Sequence, residues 1–212
     1  MSTSQSTPTT VAVLVYDGFD ELDAVGPYEV FEMAVDAGAS IDVSLVTFDA
    51  SDDGADVVTA AHGLRVEVDG RLRLDDPPAF VVVPGGGWND RRETGAWAEA
   101  ERGALPDALS ALHDAGTTLA AVCTGGMLLA RAGVLDGRPA VTHAGAMADL
   151  RETGAEVVDA RVVDDGDVVT AGGITSGLDL ALHLVERIAG GDVADSVATG
   201  MEYERRGETR LS

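Results

Sequence analysis

The sequence holds one cysteine, Cys123, inside Thr118-Leu119-Ala120-Ala121-Val122-Cys123-Thr124-Gly125-Gly126-Met127-Leu128-Leu129-Ala130. A short apolar run ends at Cys123, and an apolar helical pattern begins within three residues of it. The stretch therefore reads as a buried strand, a tight bend and a helix. Small neighbours (Ala121, Gly125, Gly126) are what a nucleophile elbow needs, because a strained strand-to-helix turn tolerates little bulk beside the side chain it lifts out. A helix starting at Thr124 or Gly125 would point its positive end at the sulfur and is expected to lower the thiol pKa. The competing reading is an inert small hydrophobe in the core.

Two other stretches could serve such a thiol. Asp23 follows the strand-like run Val11–Val15, and Gly85-Gly86-Gly87 follows the run Phe80–Val83. If the three runs are neighbours in one sheet, their ends meet at one rim. A thiolate adding to an unsaturated carbon needs a proton partner, which Asp23 could be. It also needs donors for developing charge, which the backbone N–H groups of Gly86, Gly87 and Thr124 could be. The glycines are also explained by a tight turn alone, and Asp23 is one acid among 37. Gly85–Gly87 is no dinucleotide fingerprint, since Asp90 occupies the last glycine position, and without lysine no Walker-type loop exists. His62, His113, His143 and His183 show no metal-ligand spacing, so no metal or other cofactor is expected. His143 lies twenty residues after Cys123 and could reach the same rim as a supporting residue. His113 and His183 read as structural, and Arg131 and Asp149 as solvated.

The elements that must position these residues alternate. Strands are expected at 11–15, 41–48, 79–83, 118–122, 139–142 and 168–170, with a hairpin-like excursion over 57–68. Helices are expected from Pro27, a favourable first-turn position, and over 104–115, 144–152, 176–188 and 192–201. Ser51–Asp56 reads as a polar loop. Strand–helix alternation gives an α/β domain with a mainly parallel sheet, whose site lies beyond the C-terminal strand ends. The expected organisation is a flexible Ser/Thr-rich segment over 1–10, one domain over 11–203, and a charged tail over 204–212 that frays.

Bulk composition narrows the partners. The chain carries 24 Asp, 13 Glu, 14 Arg and no Lys, for a formal charge of −23. That surface repels phosphate backbones and anionic lipids, so neither nucleic acid nor membrane is an expected partner. It fits a salt-rich cytoplasm, where screening shortens self-repulsion to a few ångströms. One cysteine excludes an intramolecular disulfide framework, and no segment reads as a signal peptide or a membrane span.

Taken together, residues 16–31, Val83-Pro84-Gly85-Gly86, Val122-Cys123-Thr124-Gly125-Gly126, Val141-Thr142-His143 and residues 171–182 resemble the ThiJ/PfpI superfamily. The resemblance runs from about Val11 to Tyr203. It implies a flavodoxin-like three-layer sandwich related to class I glutamine amidotransferases, and a homodimer. Leu22-Asp23 through Phe31, with Cys123-Thr124, is most similar to the isonitrile hydratase branch. That similarity implies a nucleophile Cys123 paired with the acid Asp23, Thr124 in the site, a small-molecule substrate and no cofactor. The protease-like branch has His after the elbow cysteine, and Thr124 here implies an activity other than peptidase. Ala144 stands where relatives often carry a bulky aromatic, which implies a different pocket shape. Some relatives carry C-terminal DNA-binding helices; with the sequence read to Ser212, none is expected here. Three activities stay open: hydration of an isonitrile, hydration or lyase chemistry on small dicarbonyls, and non-catalytic sensing through oxidation of Cys123.

Overall fold

The computed structural model describes residues 7–48 and 56–212. The expected flexible segment over 1–6 and the loop over 51–55 lie outside the described residues. The chain runs β1 (Thr9–Leu14), α1 (Glu21–Asp36), β2 (Ile41–Thr47), β3 (Val57–Thr59), β4 (Arg65–Glu67), β5 (Gly70–Arg71) and β6 (Phe80–Val83). It continues through α2 (Ala96–Arg102), α3 (Ala104–Asp114), β7 (Thr118–Ala121), α4 (Gly125–Arg131), β8 (Pro139–Ala140), a 3-10 turn over Ala144–Ala146, α5 (Met147–Arg151) and β9 (Glu156–Val157). β10 (Val162–Asp164), β11 (Val168–Ala171), α6 (Ser176–Ala189), α7 (Gly191–Gly200) and β12 (Thr209–Leu211) complete it.

Among the described residues, eight strands form the main sheet in the order β12-β10-β11-β7-β6-β1-β2-β5. All pairs are parallel except β10–β11. The centre is made by β1, β6 and β7, whose aliphatic runs are buried almost end to end, as strands covered on both faces must be. Helices α1, α6 and α7 pack together as one layer, and α2, α3 and α4 as another. This is the flavodoxin-like α/β architecture. β1 leads to β2 on one side while β6 and β7 lie on the other, so the sheet's switch point falls where Asp23, Gly85 and Cys123 follow their strands.

Several expectations change. Helix α1 starts at Glu21, six residues before Pro27, and Pro27 sits inside it. Asp20 at the cap and acidic Glu21 and Asp23 in the first turn suit a helix N-terminus. The missing Pro27 N–H leaves the Asp23 carbonyl without its usual partner. Tertiary packing outweighs that local cost: a side chain on Gly26 would sit 3.2 Å from Leu178, and one on Gly177 would sit 3.5 Å from Pro27. Helix α2, bounded by Gly95 and Gly103, is too short for its periodicity to register in the sequence. The expected strand over 139–142 is regular only at Pro139–Ala140 and pairs with β9 outside the main sheet. The tail does not fray throughout, because Thr209–Leu211 adds a parallel edge strand to β10. Arg161 holds the approach to that strand through Asp179 and Tyr203. No described helix is long and apolar enough to cross a membrane.

Candidate active site

Cys123 occupies the bend between β7 and α4 with φ of 57°. Positive φ costs a non-glycine residue about 1–2 kcal/mol, so the surroundings must impose it. They do so from three sides. The Cys123 N–H is shared between the Gly172 and Ala171 carbonyls, at 2.9 and 3.2 Å. Its carbonyl accepts from Thr142 Oγ1 at 2.8 Å. Behind it, Val122 N–H is tied to Val83 O on β6 at 3.0 Å. The elbow expected from the small neighbours is present, and β11 and the segment after β8 clamp it.

Asp23, in the first turn of α1, is fully buried. Its Oδ2 accepts from Gly85 N–H at 2.9 Å, while Asp20 N–H donates to Gly85 O at 2.9 Å. The start of α1 and the glycine turn after β6 thus hold each other reciprocally. Tyr16 ties the end of β1 to the same turn by donating its hydroxyl to Pro84 O. Asp23 Oδ1 is buried and meets no conventional hydrogen-bond partner among the described residues. Buried carboxyl oxygens without partners are rare and call for an explanation. The thiol supplies one, since the Cys123 side chain interacts with this carboxyl.

Burial, and secondarily Asp20, pushes the Asp23 carboxyl up to about 7, against the pull of Gly85 N–H and Cys123. Burial, then the neighbouring Asp23, pushes the Cys123 thiol from 9.0 up to about 12. Backbone N–H groups of Ile174 and Thr124 aim at the sulfur and act in the opposite direction. The expectation of a thiol made more acidic by its helix is therefore corrected. Three pKa units are about 4 kcal/mol, whereas a helix terminus supplies at most about 2 kcal/mol. Two adjacent buried anions are disfavoured, so the pair keeps at least one proton across neutral pH and titrates as a unit.

The expected donors divide. Gly86 N–H is already committed to Thr124 Oγ1 at 2.9 Å. It is therefore unavailable to a reacting atom, contrary to its expected role. Among the described residues the Gly87 N–H and the Thr124 hydroxyl proton have no acceptor. Thr124 N–H serves the sulfur. Ile174, at φ of 39°, joins it there, and its residue type gives no sign of that role because it contributes only its backbone.

In front of the sulfur lies a cavity of about 160 Å³ lined by Cys123, Thr124, Gly87, Ile174, Asp20, His62 and His143, and by Trp88, Asn89, Asp90 and Arg92 of the loop after Gly87. Asp23 is not among its lining residues. That loop is braced. Trp88 Nε1 donates to Asp149 Oδ2 at 2.7 Å, its ring meets Trp97 edge-on at 5.1 Å, and Arg91 stacks on Trp97 at 3.7 Å. Asp149, which reads as solvated in the sequence, is thus a structural anchor. His183 pairs with Asp164 at 2.6 Å and His113 with Asp167 at 3.0 Å, structural contacts outside the cavity. His62 bonds Glu21 at 2.7 Å, and one ligand atom each from Asp20, Glu21 and His62 lies within 4.8 Å of the others. His62 lies 41 and 42 positions from the two acids, so sequence spacing could not show this grouping, which is able to hold a cation.

A strained cysteine at the switch point of a parallel α/β sheet, backed by a buried carboxyl, defines a cysteine-elbow protein of the flavodoxin-like class. The chain belongs to the DJ-1/PfpI family, whose profile matches residues 9–187. It is 34% identical to an isonitrile hydratase of Pseudomonas putida over 91% of this chain and 78% of that protein. It is 28% identical to a deglycase of Pyrococcus abyssi over 76% of this chain and 88% of that one. A crystal structure of a ThiJ/PfpI family protein from Pseudomonas syringae superposes with a TM-score of 0.78 at 25% identity, covering 94% of this chain and 76% of that one.

Proposed function

We propose that this protein is a cofactor-independent hydratase that converts a small isonitrile to an N-substituted formamide, with Cys123 as nucleophile and Asp23 as its proton partner. The observation that carries the reading is the buried Asp23–Cys123 pair, an orphaned carboxyl oxygen beside a strained thiol that interacts with it. Its support among relatives is the 34% identity to an isonitrile hydratase over nearly the whole chain. Thr124 in place of a histidine, and a cavity of about 160 Å³ rather than a peptide-sized groove, both speak against proteolysis.

In the reaction, sulfur forms a bond to the terminal carbon as the pair's proton passes to that carbon. The product is a thioimidate, with Asp23 ionised. The carboxylate then takes a proton from water as the hydroxide adds to the same carbon, and returns it to nitrogen. Collapse moves the remaining hydroxyl proton to Asp23, breaks the C–S bond and forms the formamide carbonyl. Net, one water is added and the pair regains its proton. Ile174 and Thr124 N–H stabilise the departing thiolate, and the Gly87 N–H and Thr124 hydroxyl orient water and substrate.

The test is a screen of isonitriles, nitriles, amides and glyoxals at multimolar salt, read by product mass, on the parent and on Cys123→Ala. Formamide formation that falls to background in the variant is expected. Full activity in Cys123→Ala, or turnover of glyoxals but of no isonitrile, would overturn the assignment. The salt matters in its own right. With a formal charge of −23, self-repulsion acts over about 10 Å in dilute buffer and about 3 Å at molar salt. We expect the melting temperature to rise by roughly 5–10 °C between dilute buffer and multimolar KCl. A flat or falling melting curve would remove the link between this surface and a salt-rich cytoplasm.

A further inference from the structure

The active-site cavity contains a group that the proposed reaction leaves unused. His143 follows β8 at the cavity wall, half-buried, and its Nδ1 is fully engaged. Gly145 N–H donates to Nδ1 at 2.9 Å, and Asn89 Nδ2 lies 3.3 Å from the same atom. A backbone N–H can only donate, so Nδ1 must carry the lone pair. The proton of the neutral ring is therefore on Nε2. Nε2 has no partner among the described residues. Two glycines make the arrangement possible. A side chain at Gly145 would lie 2.8 Å from Asn89 Nδ2, and one at Gly173 would lie 2.6 Å from the ring's Cδ2. The ring is thus packed from one side, tied from another, and left with a single N–H for whatever enters the cavity.

The rest of the wall says what that donor would meet. Asp20 and Asp90 present carboxylates, and the Arg92 guanidinium is paired with Asp90 at 3.3 Å. An anionic substituent would face two carboxylates, while the two cationic groups of the wall are already paired, Arg92 with Asp90 and His62 with Glu21 at 2.7 Å. A hydrocarbon substituent would leave the His143 N–H unpaired on desolvation, which costs more than the bond itself gains.

We propose that His143, fixed in its Nε2–H form by Gly145 and Asn89, recognises an uncharged hydrogen-bond acceptor on the substrate, so that the preferred substrates are small neutral isonitriles bearing an ester, amide or ether oxygen. The inference rests on the hydratase reading for the reacting group. His143 and Asn89 act here as recognition and positioning residues, with no proton transferred.

Three probes separate the terms: methyl isocyanoacetate, an alkyl isonitrile of matched length, and the isocyanoacetate anion. The parent is expected to favour the ester over the alkyl compound by about ten-fold in kcat/KM, with the anion poorer than the ester. His143→Phe should raise KM for the ester about ten-fold with kcat nearly unchanged, and lower KM for the alkyl substrate, which no longer buries an unpaired N–H. His143→Gln, which keeps an N–H near the Nε2 position, should recover part of the preference. Equal kcat/KM for ester and alkyl compound in the parent, or equal losses for both in His143→Phe, would overturn the proposal.

A second measurement needs no turnover. In the spectrum of ¹⁵N-histidine-labelled protein, the resonance missing from His143→Gln should show the Nε2–H tautomer. It should shift on addition of the formamide ester product and not on addition of the alkyl formamide. An Nδ1–H pattern, or no selective shift, would sink the donor role. If no isonitrile is turned over, the hydratase reading falls, and this spectrum still decides the proposal for His143.

Discussion

Replacing Asp23 by asparagine is expected to cost about 10²- to 10⁴-fold in turnover, the range ascribed to a positioned acid–base group, while making the fold more stable above neutral pH. The two effects have one origin. Asp23 is fully buried, and burial raises its carboxyl from 3.8 to about 7 in the folded chain. Its folded pKa is thus above its unfolded one, so the native state binds the proton more tightly. Stability is then lost as pH rises from near 3.8 towards 7, because the unfolded chain ionises freely and the folded chain must hold a charge in a dry site. The upper bound on that loss is about 4 kcal/mol. The Asp23→Asn side chain would keep an acceptor for Gly85 N–H but carry no charge. The variant's melting temperature should therefore exceed the parent's at pH 8, and the difference should vanish near pH 4. The carboxylate is also the second cause of the raised thiol pKa, after burial. Thiolate absorbance in Asp23→Asn should accordingly appear at lower pH than in the parent. Parental turnover in this variant would remove Asp23 from the chemistry, and identical stability at pH 8 would remove the buried charge from the account.

The sequence exposes the strands of the site better than its loops, for a physical reason. β1, β6 and β7 are central strands covered on both faces, so Val11–Val15, Phe80–Val83 and Leu119–Val122 show as unbroken apolar runs. Asp23, the glycine turn and Cys123 can then be placed at strand ends by counting. What surrounds them comes from backbone atoms and distant loops, where residue type carries little signal. Ile174 serves through its N–H, and Asp149 braces Trp88 from 61 residues away. His62 meets Glu21 across 41 residues. The Gly86 N–H fits the expected donor by position and is satisfied by Thr124 instead. The thiol shift runs opposite to its expected direction because a helix terminus is visible in sequence and the depth of burial is not. Pro27 misleads for a related reason, since its preference for a helix start is local and the fit of Gly26 and Pro27 against α6 is not.

The second large effect is structural and concerns the helix that begins beside the nucleophile. A methyl group on Gly125 would lie 2.1 Å from Val83 O and 2.8 Å from Pro84 O, both main-chain atoms of β6 and its exit. No rotamer change relieves contacts with backbone, so α4 must move away from the sheet or β6 must yield. Overpacking in cores costs about 1–3 kcal/mol, and the rigid partners place Gly125→Ala at the upper end, about 3 kcal/mol or more. The melting temperature should fall by roughly 6–12 °C for a chain of this size. Gly191→Ala provides the contrast. That position opens α7, and a methyl group there meets nothing within 4 Å. Exchanging glycine for alanine in such a place should stabilise by about 0.4–1 kcal/mol, through the unfolded chain and helix propensity. The pair tests whether glycine at Gly125 is there for close approach or by chance. A parental melting point in Gly125→Ala would show that the elbow has slack, and slack is incompatible with Cys123 being held at a φ of 57°. If the variant melts early and its surviving folded fraction also loses turnover, the tight contact of α4 on β6 is what keeps the sulfur raised over the sheet, with the Thr124 N–H aimed at it.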